Sequence, residues 1–223
     1  MNKKVFKFLL AIFIFTLFSL NIVYGDNFDL EKNIIIYSLN NFFTDYYSCL
    51  TNLEIKDLSS YFSNTTSEEK SNYQLNYEAL RLEINILKAN NELSNTYTRS
   101  NYSFSNNIKN IQFDSNFATI SLTQEVNVTD PLSLKINTIY KEFVIKLKKN
   151  YNQYQYVIST IDSNSYYVGL LKNITPKDGD YKESADLYFN ETKNLMAKNN
   201  PSKKSEEGNP FSLKNILSKI FSN

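Results

Sequence analysis

The stretch Phe117-Ala118-Thr119-Ile120-Ser121-Leu122-Thr123-Gln124-Glu125-Val126-Asn127-Val128 decides the fold class. Ala118, Ile120, Leu122, Val126 and Val128 fall on one side of a two-residue repeat, and Thr119, Ser121, Thr123 and Glu125 on the other. That alternation describes a strand with one dry and one wet face, the usual state of a strand in an antiparallel sheet. On its amino-terminal side Asp114-Ser115-Asn116 is a turn signal joining it to Ile108–Phe113, with a weaker strand at Thr96–Phe104 before that. On the other side Asp130-Pro131 breaks the run, Thr138–Lys148 resumes it with Ile139, Phe143, Ile145 and Leu147, and Asn150–Gln153 turns it into Tyr154–Asp162. Segments of this length with short polar turns predict an antiparallel meander of about four strands.

Upstream the period changes to 3.6. Ile35, Leu39, Phe42, Tyr46, Leu50 and Leu53 recur at helical steps, and Tyr73, Tyr77, Leu80, Ile84 and Leu87 do so again. The second helix carries its own start signal, Thr66 with Glu69 three residues on, a capping box in which hydroxyl and carboxylate satisfy free backbone amides. Two amphipathic helices followed by a sheet predict an α+β fold with the helices packed on one face of a curved sheet.

The ends differ in kind. Lys3, Lys4 and Lys7 lead an apolar run from Phe8 to Leu20, too short for the ~20 residues that span a bilayer, followed by Val23-Tyr24-Gly25. This predicts a signal peptide over residues 1–25, cleaved between Gly25 and Asp26, and hence an exported protein at the cell envelope; an uncleaved anchor over residues 5–24 is the alternative. The domain proper is expected over 26–173, a linker with a short helix over 174–198 and a disordered linker over 199–210 (NNPSKKSEEGNP from Asn199). Residues 211–223 form an amphipathic segment whose Leu213, Ile216, Leu217 and Ile220 could touch a membrane through 211–222.

Composition excludes several chemistries. The chain has no His, so Ser-His-Asp and Cys-His nucleophiles and imidazole metal sites are absent. Cys49 alone makes no internal bridge and reads as a small buried hydrophobe. The balance of 24 basic to 23 acidic residues, without a basic block, gives no footprint for nucleic acid. Four scattered glycines build no phosphate loop. No cofactor and no metal are expected.

The strand text Ile111–Leu122 (IQFDSNFATISL), Ile139–Lys149 (IYKEFVIKLKK) and Gln153–Ile158 (QYQYVI) resembles the strand-turn-strand signature of cone-shaped NTF2-like domains. Residues 30 to 172 are similar to the amino-terminal region of secreted clostridial proteins that carry an amidase domain after it. Such regions often carry Trp in the last strand, where this chain has Tyr154 and Tyr156, and the amidase would use Cys and His. The resemblance implies the accessory half of that architecture without the hydrolase: a non-catalytic domain with cell-wall glycan or an envelope protein as partner.

Candidate binding residues follow from two pictures. Exposed tyrosines on a sheet face stack on sugar rings, and Tyr140, Tyr154, Tyr156, Tyr166 and Tyr167 form the natural group. A cavity between sheet and helices would instead draw on Glu78, Glu83 and Arg81 of the second helix and on Glu125 and Glu142 of the strands. Glu125 and Glu142 sit opposite the apolar faces and are expected in solvent, while Glu78 and Arg81, three apart, are expected to pair on the helix surface. A buried polar pocket favours a small-ligand binder or cavity enzyme, and a flat aromatic surface favours the wall-binding accessory domain. An intact amino-terminal segment favours a membrane-tethered structural protein.

Overall fold

The computed structural model describes residues 29–94, 98–150 and 155–198. The signal peptide with its Gly25-Asp26 cleavage site, Tyr154, the linker at 199–210 and the segment 211–223 lie outside the described residues. By contacts the chain falls into two units, Met1–Asn40 and Asn41–Asn223. Residues 29–52 are helical (α1), and of the first unit residues 29–40 are described, with Ile35 and Leu39 buried. All packing below is that of the second unit.

The class is α+β, two helices leading into a curved, unclosed antiparallel sheet of four strands, as the sequence predicts. The strands are β1 (Asn101–Asp114), β2 (Phe117–Thr129), β3 (Ile136–Asn150) and β4 (Gln155–Ser163), in spatial order β1-β2-β3-β4. Asp114 pairs with Phe117 across a two-residue turn, where the Ser115 amide donates to the Asp114 carboxylate at 2.7 Å. At the other end of β2 the Asp130 carboxylate accepts from the amides of Leu132 and Ser133 at 2.9 and 2.8 Å, and Leu134 takes a φ of 54°.

The two pieces expected at Thr96–Phe104 and Ile108–Phe113 are one strand of 14 residues from Asn101. A bulge explains the apparent break: Ile108 pairs with Leu122 and Asn110 with Ser121, so Lys109 has no partner and the side-chain parity reverses there. A second bulge leaves Ser159 unpaired between Ile158, opposite Leu147, and Thr160, opposite Lys146. Both bulges add local twist and bend the strands that carry them.

The second helix, α2 (Ser67–Ser94), starts as its capping box dictates: the Glu69 amide donates to Thr66 Oγ1 and the Thr66 amide to Glu69 Oε2, both at 3.1 Å. Leu80 and Ile84 are buried on one face, as expected. A second stripe, Leu75, Ala79, Leu82, Ile86 and Ala89, is buried as well. It is covered by two helices that follow the sheet, α3 (Tyr166–Ile174) and α4 (Tyr181–Lys198), through Val168, Leu171, Ala185 and Met196. The expected linker at 174–198 is thus largely α4, docked on α2, because its few apolar side chains meet a helix that has apolar residues on two sides. No helix of the described residues is long and apolar enough to cross a membrane.

Candidate functional site

Across the middle of the inner sheet face the pairing register aligns Asn106 of β1 with Gln124 of β2, and Gln124 with Lys141 of β3. The same face is otherwise apolar, with Ile120, Leu122 and Val126 beside Gln124 and Phe143 and Ile145 beyond Lys141. Burying polar groups there carries a desolvation cost unless partners are supplied. Gln124, fully buried, has them: its Nε2 donates to Asn106 Oδ1 at 2.8 Å, and its Oε1 accepts a short hydrogen bond from the Tyr47 hydroxyl of α1.

Lys141 is different. Its ammonium stands 5.5 Å from the Tyr47 ring centroid and 5.8 Å from that of Tyr46, over two aromatic faces. Among the described residues no carboxylate comes within ion-pair distance of it.

Glu83 is its counterpart on α2. Burial pushes the Glu83 carboxyl above its ordinary pKa, and the charge of Lys141 acts in the opposite sense. By surface area the side chain is half-buried. No hydrogen-bond donor among the described residues reaches it. Tyr46, Tyr47, Tyr102 and Tyr167 have phenols pushed up by burial first and by the negative charge of Glu83 second, which places all four around that carboxyl.

A cleft opens beside this group, walled by Phe42, Phe62, Tyr73, Tyr77 and Phe143, with Lys141, Asn76, Ser163 and Ser165 as its polar members. Lys141 is the one charged side chain of the described residues that lines it. Asn76 is already engaged, donating to Ile161 O at 3.2 Å and Asn72 O at 2.9 Å. The space inside admits about two waters, within a hollow of about 510 Å³ that includes its mouth. Among the described residues no cluster of three or more Cys, Asp or Glu side chains is placed to hold a metal ion.

The tyrosines grouped from the sequence do not assemble into one exposed surface. Tyr140 is exposed, Tyr156 and Tyr167 are buried at 8% and 5%, and Tyr166 is exposed against Tyr167, their rings 5.1 Å apart. Burial is the reason: the inner face of β4 takes Tyr156 into the core, and α3 takes Tyr167. Glu78 and Arg81 pair as expected, yet Glu78 is buried and not on the surface, because Asp186 of α4 joins Arg81 from outside at 2.7 Å. Glu142 is exposed and pairs with Lys109 at 3.2 Å, and Glu125 is half-buried on the outer face, accepting from Asn127 at 3.3 Å. None of these four lines the cleft. Cys49 is fully buried, as expected, and burial raises its thiol pKa.

Of the residues weighed from the sequence, the structure sets Glu83 within electrostatic reach of Lys141, and it adds Lys141 and Gln124. Their signal was present: each is a polar interruption of an apolar alternation, Leu122-x-Gln124-x-Val126 and Ile139-x-Lys141-x-Phe143. Comparison with family models, with curated proteins and with solved structures returns no match.

Proposed function

We propose that the protein is an exported accessory domain that holds a small, largely apolar molecule between its sheet and its helices. The observation that carries this reading is the cleft itself, aromatic-walled and with Lys141 as the one charged residue among those described that lines it. A concave, mostly apolar site with a single charge and a few polar groups is the usual build of a small-ligand pocket. Export rests on the leader read over residues 1–25, and the accessory role on the resemblance of residues 30 to 172 to NTF2-like regions, whose helices over a curved sheet suit such a cavity. The wall-binding route through a tyrosine surface has no support in the placement of Tyr140, Tyr156, Tyr166 and Tyr167.

The test is a titration of the full chain with neutral fragments, isobutanol and benzyl alcohol, followed by amide NMR shifts. Saturable shifts at Phe62, Tyr77 and Phe143, lost in a Ser163→Phe variant that fills the cleft, are the expected result. Shifts spread over the outer face, or unchanged by Ser163→Phe, would overturn the reading.

A further inference from the structure

We infer that the molecule this cleft takes is a small organic carboxylate, its acid group held by Lys141 and its apolar body lying along the aromatic walls. The inference rests on the binding reading above and names the ligand class for the same site.

Charge argues first. A half-buried ammonium on the apolar face of a sheet is stabilised by a counter-charge or by acceptors brought to it. In direct contact Lys141 has only the rings of Tyr46 and Tyr47, at 5.8 and 5.5 Å, while Glu83 acts on it from beyond ion-pair distance, and a cation–π contact is weaker than an ion pair's hydrogen bonds. Its neighbour in the row, Gln124, is turned to other partners: its Oε1 accepts from Tyr47 and its Nε2 donates to Asn106. The ammonium therefore keeps donors to spare, and it is the only charge on the cleft wall among the described residues.

The head group follows from what else lines the cleft. Phosphate and sulfate groups call for several cations or a nest of backbone amides. Here one ammonium shares the lining with Ser163 and Ser165. That set of donors suits the two oxygens of a monoanionic carboxylate.

The body follows from the walls. Phe42, Phe62, Tyr73, Tyr77 and Phe143 offer ring faces and edges with no free charge, and Asn76 is spent on the backbone of Ile161. An aromatic or branched aliphatic group is what such walls hold.

The experiment compares isosteric pairs on the full chain by NMR titration at pH 7: isobutyrate against isobutyramide, and benzoate against benzamide. The expected result is at least one pair in which the acid binds about tenfold tighter than its amide. In Lys141→Gln that preference should fall to less than about twofold, and in Lys141→Arg most of it should remain. Thermal melts of both variants establish that they are folded. Acid and amide binding alike at the cleft overturns the carboxylate inference and leaves the binding reading standing. An acid preference that persists in Lys141→Gln, or that Ser163→Phe does not block, also overturns it. Failure of both pairs, together with the neutral alcohols, sinks the binding reading as well.

Discussion

The carboxylate of Glu69, in the first turn of α2, accepts a hydrogen bond from the Ser159 hydroxyl of β4 at 3.0 Å. Ser159 is the residue the β3–β4 bulge leaves out of the ladder, so the same irregularity that bends the sheet frees the hydroxyl that ties it to the helix. Glu69 also accepts from Ser63 Oγ at 2.8 Å, the Thr65 amide at 2.9 Å and Thr65 Oγ1 at 2.7 Å, with Lys148 at 3.7 Å. One carboxylate thus joins a loop, a helix start and two strands.

Burial alone would push the Glu69 carboxyl up, but the hydrogen bonds from Thr65, Ser63 and Ser159 outweigh it and hold the pKa at about 2, against 4.5 in the unfolded chain. A pKa depressed on folding stabilises the native state fully above the unfolded value and is lost as pH falls toward the folded one. Urea unfolding of the native protein should therefore weaken between pH 5 and pH 2 by about 2 kcal/mol more than that of Glu69→Gln. Equal acid sensitivity in the two proteins would show that Glu69 contributes nothing to the slope.

Removing the Tyr47 hydroxyl strands the carbonyl of a fully buried Gln124. Tyr47→Phe is expected to cost about 1–3 kcal/mol in chemical denaturation. The double variant Tyr47→Phe/Gln124→Leu should cost less than the sum of the two singles, which a double-mutant cycle measures.

Arg81 lies between a buried partner and a half-exposed one. Arg81→Met leaves the Glu78 carboxylate buried without its cation and should destabilise by about 3 kcal/mol. Asp186→Asn, at a side chain 46% exposed, should cost less than about 1 kcal/mol. The ranking is read from thermal melts of both variants, and a reversed order would contradict the burial argument.

Residues 181–198 belong to the packed structure, which neighbouring positions on α4 can test. Met196 is buried in the cluster with α2, so Met196→Ala should cost about 2–3 kcal/mol. Leu195, 55% exposed, should lose less than about 0.5 kcal/mol on the same change. Equal effects would mean that α4 does not dock.

Which parts of this were legible in the sequence has a physical pattern. Local rules read well: the Thr66–Glu69 capping box, the Asp114–Asn116 turn and the alternation of β2 depend on neighbours a few residues away. Features set by distant contacts read badly. The Lys109 bulge split β1 into two apparent strands because parity reverses at the unpaired residue. The stripe Leu75-Ala79-Leu82-Ile86 was hidden because α2 is apolar on two sides, so its periodicity is blurred, and with it went the reason for α3 and α4 to dock. Lys141 has no composition signal, being one Lys in a lysine-rich strand; only its parity marks it as inward.

The unpaired Lys109 has one more effect, on what the outside of the molecule offers to other chains. β4 is sheltered along its outer side, where Phe62 bridges to Ile158 and Asn72 bonds the backbone of Ile161 at both its amide and its carbonyl, 2.9 and 3.2 Å away. Among the described residues no strand pairs with the other side of β1, at the far end of the strand order, and such margins invite a foreign strand to zip on. The interruption at Lys109 offsets the hydrogen-bonding groups on its two sides, so an incoming straight strand that matches one half is out of step with the other, and a lysine sits at the misfit. The same kink that shapes the interior thereby guards the margin against edge-to-edge polymerisation.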